Sequence, residues 1–438
     1  MTHSLTKLTA LALLAAAPWL PARSQQPDAN MRRALRALAA QPIIDGHNDL
    51  PWRIREDSVH PMDVDAYDLR QHTPGMTDLA RLRQGRVGGQ FWSIYIPGER
   101  SDAAYRSKGT SASMPGYARV QLEQIDIARR VVAKYPQLEW ATRSDSMRLA
   151  IRRGRIGSAL GLEGGHAIEN SLTLLRVYYE LGARYMTLTH NVTLDWADAA
   201  LDSAKHGGLT PFGKEVVREM NRLGMLVDLS HVSPGTMSSA LDVSAAPVVF
   251  SHSGARALVN HPRNVPDSIL ARVPKNGGVV MVPFVTVFVS RAVKEDEDTI
   301  QARIAAALRR HSGDTAQARP EVDAWRATHR RPNATIADVA DVIEHVRQVA
   351  GVDHVGIGSD FDGISETVVG LEDVSKFPAL FAELARRGWS ETDLEKLAGG
   401  NILRVMRDAE RVSTRLKRER GPSTATIEQL DAPGRSTP

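Results

Sequence analysis

The run Ile43-Ile44-Asp45-Gly46-His47-Asn48-Asp49 ends a short apolar stretch in a histidine and an aspartate two residues apart. In an extended chain such residues project to one side, so His47 and Asp49 offer an imidazole nitrogen and a carboxylate to one point. That is half of a metal site. Alone the pair is weak, because a histidine beside an aspartate arises by chance in most chains of this length. Its weight comes from later apolar runs that end the same way: Leu162-Glu163-Gly164-Gly165, Thr189-His190-Asn191, Leu229-Ser230-His231, Phe250-Ser251-His252 and Ser359-Asp360-Phe361-Asp362. Singly, each has an ordinary reading as a loop, cap or Asx-turn residue. Converging imidazoles and carboxylates without a cation would be electrostatically costly. Nitrogen and oxygen donors without sulfur fit Zn²⁺, with Mn²⁺ and Co²⁺ as competitors. The number of donors suggests two ions, with Glu163 bridging a pair held by His47 and Asp49 on one side and His231 and His252 on the other. Two metals about 3.5–4 Å apart generate hydroxide at neutral pH and polarise a carbonyl. Asp360 is then a free acid for carrying a proton to a leaving amine.

Elements must bring these ends together. From Ile43 onward β-rich runs alternate with amphipathic helical stretches, the pattern of an α/β protein with a parallel sheet. Eight runs, at 43–47, 90–96, 156–162, 184–190, 225–231, 247–252, 278–284 and 354–359, predict a closed (β/α)8 TIM barrel of the metallo-dependent hydrolase type. In such barrels chemistry sits at the C-terminal strand ends. Helices are expected over 117–135, 172–181, 212–223, 337–349 and 376–387, with another from Glu391 to Arg407. Residues 54–88 read as mostly loop with a short helix near Asp78 to Leu82. Residues 290–333 read as a charged insertion between strands seven and eight, helical from Thr299 to Arg310.

Residues 1–24 read as a signal peptide, with Lys7, an apolar run from Leu8 to Ala17 and Ala22-Arg23-Ser24 as a cleavage site. The run is too short for a stable membrane anchor. Residues 25–410 then form the barrel domain and 411–438 a polar, disordered tail. The chain has 438 residues and no cysteine, which removes disulfides, thiolate ligands and a lipid-anchor thiol. The expected product is soluble and exported, periplasmic or secreted. Loss of Lys7 and Arg23 lowers the formal charge from +4 to +2, which gives no case for nucleic-acid binding.

The chain resembles the membrane (renal) dipeptidases, the M19 zinc metallopeptidases of the amidohydrolase superfamily. The likeness runs from about Ile43 to Asp408. Its carriers are Asp45-Gly46-His47-Asn48-Asp49-Leu50-Pro51-Trp52, Gly161-Leu162-Glu163-Gly164-Gly165-His166, Asp228-Leu229-Ser230-His231, Phe250-Ser251-His252-Ser253, Arg263-Asn264-Val265-Pro266, Asp360-Phe361-Asp362-Gly363 and Gly370-Leu371-Glu372-Asp373. The resemblance implies a dipeptide substrate and two Zn²⁺ per subunit held by His47, Asp49, Glu163, His231 and His252. It further implies that His190 meets the scissile carbonyl, Arg263 pairs with the substrate carboxylate and Asp360 shuttles the proton. A D-residue at the C-terminal position and a homodimer are family expectations. Spacing alone leaves Arg256 an equal candidate for the carboxylate. Phe288 stands where mammalian members place a Tyr, and Ser359 where a Gly is common. Cyclic amide or lactone hydrolases on the same barrel start from His-x-His and bridge their metals with a lysine, neither of which is found at these strand ends. A periplasmic zinc-binding protein without catalysis would not need Asp360, His190 and Arg263.

Overall fold

The structure is a computed structural model that describes residues 28–98 and 116–431. The expected signal peptide lies outside the described residues. The strands are β1 (Ile43–Asn48), β2 (Val87–Ser93), β3 (Leu138–Trp140), β4 (Ile156–Glu163), β5 (Ala183–Thr187), β6 (Leu226–Asp228), β7 (Val249–Phe250), β8 (Val279–Val282) and β9 (Val355–Ile357). All pair in parallel, in the order β1-β2-β4-β5-β6-β7-β8-β9, with β3 joined only to β4. The ring shuts between β9 and β1: Asp360 N–H donates to the His47 carbonyl (3.1 Å) and Asp49 N–H to the Phe361 carbonyl (2.8 Å). Eight strands thus make the expected TIM barrel.

Strands such as Val279-Val280-Met281-Val282 are continuously apolar because helices cover one face and the barrel interior the other. Inside, Ile44, Phe91, Ala159, Tyr185 and Met281 belong to one apolar cluster with Ile402, Val405, Met406 and Ala409 of the helix Asn401–Glu419. That helix packs on Leu226, Val249 and Val279, where strands begin. The open end is therefore the one where strands finish. Outside, the helix Pro211–Leu223 shows how sequence sets an element. Thr210 caps its start, Pro211 occupies the first turn, and Gly224 at φ 87° ends it in the left-handed region. Phe212, Val216, Val217 and Met220 form its buried stripe.

Four sequence expectations need correction. The strand β3 escapes a pattern reading, because it has three residues with Glu139 in the middle, paired to Arg153 (2.8 Å) and Arg155 (3.2 Å). The runs expected to reach His231 and His252 stop at Asp228 and Phe250, where side chains take over the amide hydrogen bonds. In the insertion, helices Arg291–Arg310 and Thr315–Arg326 pack against each other. The first starts well before Thr299, along a buried stripe of Val293, Ile300 and Ala307. The chain after 411 is ordered through Asp431: Asn401–Glu419 follows Glu391–Glu395 and a π turn, and Ile427–Leu430 is helical. Composition suggested disorder, yet Asp431 accepts from Thr210 Oγ1 (2.6 Å) and Phe212 N (2.9 Å), and Arg420 pairs with Glu215.

Candidate metal centre

His47 and Glu163 are the last or next-to-last residues of β1 and β4, whereas His190, His231, His252 and Asp360 lie two or three residues beyond β5, β6, β7 and β9. Two buried aspartates end the ladder there. Asp228 accepts from Ser230 N (3.1 Å), Ser251 N (2.8 Å) and Ser251 Oγ (2.6 Å). Asp45 accepts from Ser359 N (2.8 Å), Ser359 Oγ (2.6 Å) and His47 N (3.3 Å). With their amides satisfied by carboxylates, the chain ends turn inward. Backbone strain accompanies the turn: His231, Asp360 and Asp362 have φ of 66°, 68° and 65°, a region that costs non-glycine residues about 1 kcal/mol or more.

Strand alternation brings His47 and Asp49 together in the sequence reading, but the structure does it otherwise. The register of β1 slips between Asp45 and Asn48, and Asp49 begins the helix Leu50–Arg55. The turn, not the pleat, places Asp49 Oδ2 3.2 Å from His47 Nε2.

Glu163 stands at the centre. Its Oε2 lies 3.3 Å from His47 Nε2, while its Oε1 lies 3.0 Å from His231 Nε2, 3.4 Å from His252 Nε2 and 3.9 Å from His190 Nε2. One carboxylate thus faces two groups of imidazoles. Asp360 Oδ1 is 4.0 Å from His47 Nε2. Three overlapping sets, His47–Glu163–His252, Glu163–His190–His231 and His47–Asp49–Asp360, each bring ligand atoms within 4.8 Å of one another.

The hydrogen bonds decide which nitrogens are free. His231 Nδ1 donates to Asn191 Oδ1 (3.0 Å), which leaves Nε2 a lone pair. Ser251 Oγ gives its proton to Asp228 and accepts from His252 Nδ1 (2.8 Å), so His252 Nε2 is also a lone pair. These two nitrogens are 2.9 Å apart. Two buried lone pairs at that distance repel unless a cation lies beside them. His47 holds the Tyr185 hydroxyl at Nδ1 (2.7 Å), and its buried Nε2 makes no hydrogen bond. Burial lowers the His47 pKa, but Tyr185, Glu163 and Asp49 together raise it well above the ordinary imidazole value, the mark of a cation favoured among these carboxylates. Donor type, spacing and the lone pairs of His231 and His252 therefore fit a metal. Burial, helped by Arg263 and His190 for His231 and by His47 for His252, holds both pKa values well below the ordinary imidazole value, the neutral form a ligand needs.

Trp52, Tyr95 and Asn191 join Asp49, Glu163, His190, His231, His252, Asp360, Arg263 and Gly363 around a cavity of about 300 Å³. Arg263 is buried, and its Nε and Nη2 have no hydrogen-bond partner. Burial lowers its pKa to about 10, against the pull of Asp360 and Glu163. The rival Arg256 is engaged with the carbonyls of Asn264 and Pro262. Phe288 lies under Arg263, its ring 5.1 Å from the guanidinium. Burial first, and then Asp49 and Glu163, hold the Asp360 carboxyl well above the usual carboxylate range although His47 and Arg263 oppose them.

Sequence reasoning missed the residues that orient the candidate ligands. Tyr185 sits in the barrel interior with its ring against Gly161, where a Cβ would fall 2.0 Å from Cζ. Asn191 and Ser251 stood next to the quoted histidines, and a question about their Nδ1 partners would have found them. Ser93, which donates to Glu163 Oε2 (3.1 Å), carried no signal.

Residues 31–420 match the profile of Membrane dipeptidase (Peptidase family M19). An uncharacterized dipeptidase of Schizosaccharomyces pombe is 42% identical over 388 residues, covering 86% of this chain and 83% of its own. Among solved structures, the probable dipeptidase PvdM from Pseudomonas aeruginosa aligns with a TM-score of 0.74 at 24% identity, over 87% of this chain and 99% of its own. A metallo peptidase from Rhodobacter sphaeroides, liganded with a phosphinate mimic of the dipeptide L-Ala-D-Ala, aligns at 0.66 and 24% identity, over 84% of this chain and 99% of its own. With the profile spanning nearly the whole barrel and a dipeptidase relative above 40% identity, the chain belongs to the M19 metallopeptidases, the membrane dipeptidase family.

Proposed function

We propose that this metallopeptidase is a binuclear zinc dipeptidase that cleaves dipeptides with a free C-terminal carboxylate and accepts a D-residue at that position. The observation that carries the reading is Glu163, with His47 Nε2 facing one oxygen and the Nε2 atoms of His231 and His252 facing the other. His47 and Asp49 would hold one zinc, His231 and His252 the other, and Glu163 would bridge them. Such ions, when bound, supply an acidified water and a Lewis acid for the carbonyl.

The chain's own residues do the rest. The unpaired guanidinium of Arg263 receives the substrate carboxylate, leaving no buried cation unmatched. His190, whose ring lies 4.9 Å from Tyr95 and 4.3 Å from His231, borders the carbonyl position and supports the negative oxygen of the tetrahedral state. Asp360 takes the proton of the attacking water. As the C–O bond forms and the C–N bond breaks, it returns that proton to the leaving nitrogen. The D-residue reading draws support from the L-Ala-D-Ala mimic held by the Rhodobacter sphaeroides relative. The N-terminal Lys7 and Leu8 to Ala17 segment supports export.

A panel of L–L and L–D dipeptides, run with metal analysis on the same preparation, tests the proposal. Two zinc per chain and turnover of both series are expected. Cleavage of L–L pairs with every L–D pair intact removes the D-residue claim, and absence of all dipeptide turnover removes the dipeptidase reading.

A further inference from the structure

The insertion at 290–333 has no part in the chemistry above, yet it reaches the site. A second cavity, of about 370 Å³, lies beyond Asp360 and Gly363, which line both chambers. Its other walls are 285–287 after β8, 364–366 after β9, and Glu297 and Arg331 from the insertion. Arg331 Nη2 pairs with Glu297 (2.9 Å) and with Glu366 Oε2 (3.2 Å), and Thr286 Oγ1 also donates to Glu366 Oε2 (3.3 Å). Behind them Asp296, paired to His329 (2.5 Å), lies 3.9 Å from Arg331 Nε. Three carboxylates thus share one guanidinium and one imidazole. The contacts from Arg331 and Thr286 to Glu366 both fall on Oε2, and about half of the Glu366 side chain, 49%, remains exposed.

We propose that this chamber receives the side chain of the substrate's C-terminal residue and favours a basic one. The proposal rests on the dipeptidase reading. Asp360 returns a proton to the scissile nitrogen, so the space behind Asp360 belongs to the residue that owns that nitrogen. Arg263 holds the carboxylate of the same residue in the first chamber. An ammonium or guanidinium entering the second meets the half-exposed Glu366 carboxylate, with Glu297 close by. An acidic side chain meets carboxylates instead, because the Arg331 Nη2 that faces them is already engaged by two. Like charges at such distances oppose binding, and a charge-assisted hydrogen bond favours it.

The metal-loaded enzyme is assayed on Ala–Xaa dipeptides with Xaa of Lys, Arg, Ala and Glu, and on the reversed Xaa–Ala series. The ratio of kcat/KM for Ala–Lys over Ala–Glu is expected to exceed about tenfold, the size of one charge-assisted hydrogen bond. Glu366→Gln, and to a lesser degree Glu297→Gln, are expected to lower that ratio severalfold. Because each ratio is taken within one preparation, a partly folded variant does not distort it. Ala–Glu cleaved as fast as Ala–Lys overturns the subsite while leaving the dipeptidase reading intact. A basic preference confined to the Xaa–Ala series, or a ratio untouched in both variants, overturns it equally. If no dipeptide is cleaved, the dipeptidase reading and the subsite fall together.

Discussion

Replacing Gly363 with alanine tests the site without removing any proposed ligand. A Cβ there would stand 2.3 Å from Asp49 Oδ2 and 2.8 Å from Asp360 Oδ1, whereas ordinary contact begins at 3.4 Å. Gly363 is not among the glycines at positive φ, so alanine adds bulk and no backbone strain. Both carboxylates must yield, Asp49 by about an ångström. Overpacking of this kind costs about 1–3 kcal/mol of stability. The effect on chemistry is larger, since displacing catalytic groups by about 1 Å lowers rates on the order of 10²-fold. We expect kcat/KM on an L–L dipeptide to fall about 100-fold, mostly in kcat, with weaker retention of one of two metals. Gly388→Ala is the control: φ there is 93° with nothing within 4 Å of the new Cβ, so it loses stability and keeps turnover. Gly363→Ala with both metals and turnover within threefold of the parent would show that Asp49 and Asp360 do not act from their positions in this structure.

Three further outcomes are expected. Asp360→Asn should keep two metals yet lose most turnover, whereas Glu163→Gln should lose metal; intact turnover in the first removes the proton-carrying role. Tyr185→Phe takes the hydroxyl from His47 Nδ1 and should weaken metal binding about 10–100-fold, read by competition with a chelator; an unchanged affinity refutes the orienting role. Burial, then Arg263, Lys294 and Arg256, lower the His261 pKa to about 4 from 6.5. The unfolded chain therefore binds a proton below pH 6.5 that the folded chain refuses until about pH 4, and stability is lost as pH falls through that window. His261→Gln should flatten the decline of the denaturation midpoint between pH 7 and 4.5, and an equal slope in both proteins would count against this account.

The barrel and its candidate ligands are legible because they rest on local signals. Apolar runs of strand length recur at helix-sized intervals, and six of the eight end in a residue type that is costly to bury unpaired. Glu163, His231 and His252 could be named with no knowledge of their partners. Strand limits could not, because the ladder ends where Asp228 and Asp45 capture amides from other segments, and nothing near Asp45 in the chain announces Ser359. The choice between Arg256 and Arg263 was closed to spacing for the same reason. It depends on which guanidinium is engaged with backbone carbonyls, a long-range outcome of how the loop after β7 folds. The segment after 411 misled through composition: Arg420 pairs with Glu215, the Ser423 amide donates to Glu219, and Asp431 accepts from Phe212 N at the start of the helix Pro211–Leu223.

The two buried aspartates suggest why the site needs so few contacts to set its geometry. Asp45 and Asp228 use the same arrangement on different strand pairs. Each accepts the amide two residues ahead in its own segment, and both the amide and the hydroxyl of a serine on the neighbouring segment, Ser359 or Ser251. In each case the residue just past the serine belongs to the site, Asp360 in one and His252 in the other. The segment that carries the aspartate supplies His47 in the first case and His231 in the second. Each clasp therefore fixes two candidate-site side chains relative to one another through three hydrogen bonds to one carboxylate, and Asp228 accepts a fourth from Thr187 Oγ1 (2.5 Å). Such bonds are strong because the acceptor is charged and buried. Ser359 then has a physical reason: its hydroxyl completes the clasp at the seam where β9 meets β1. Glu163 spans the distance between the clasped pairs, so one carboxylate from a third strand suffices to join the two halves of the centre.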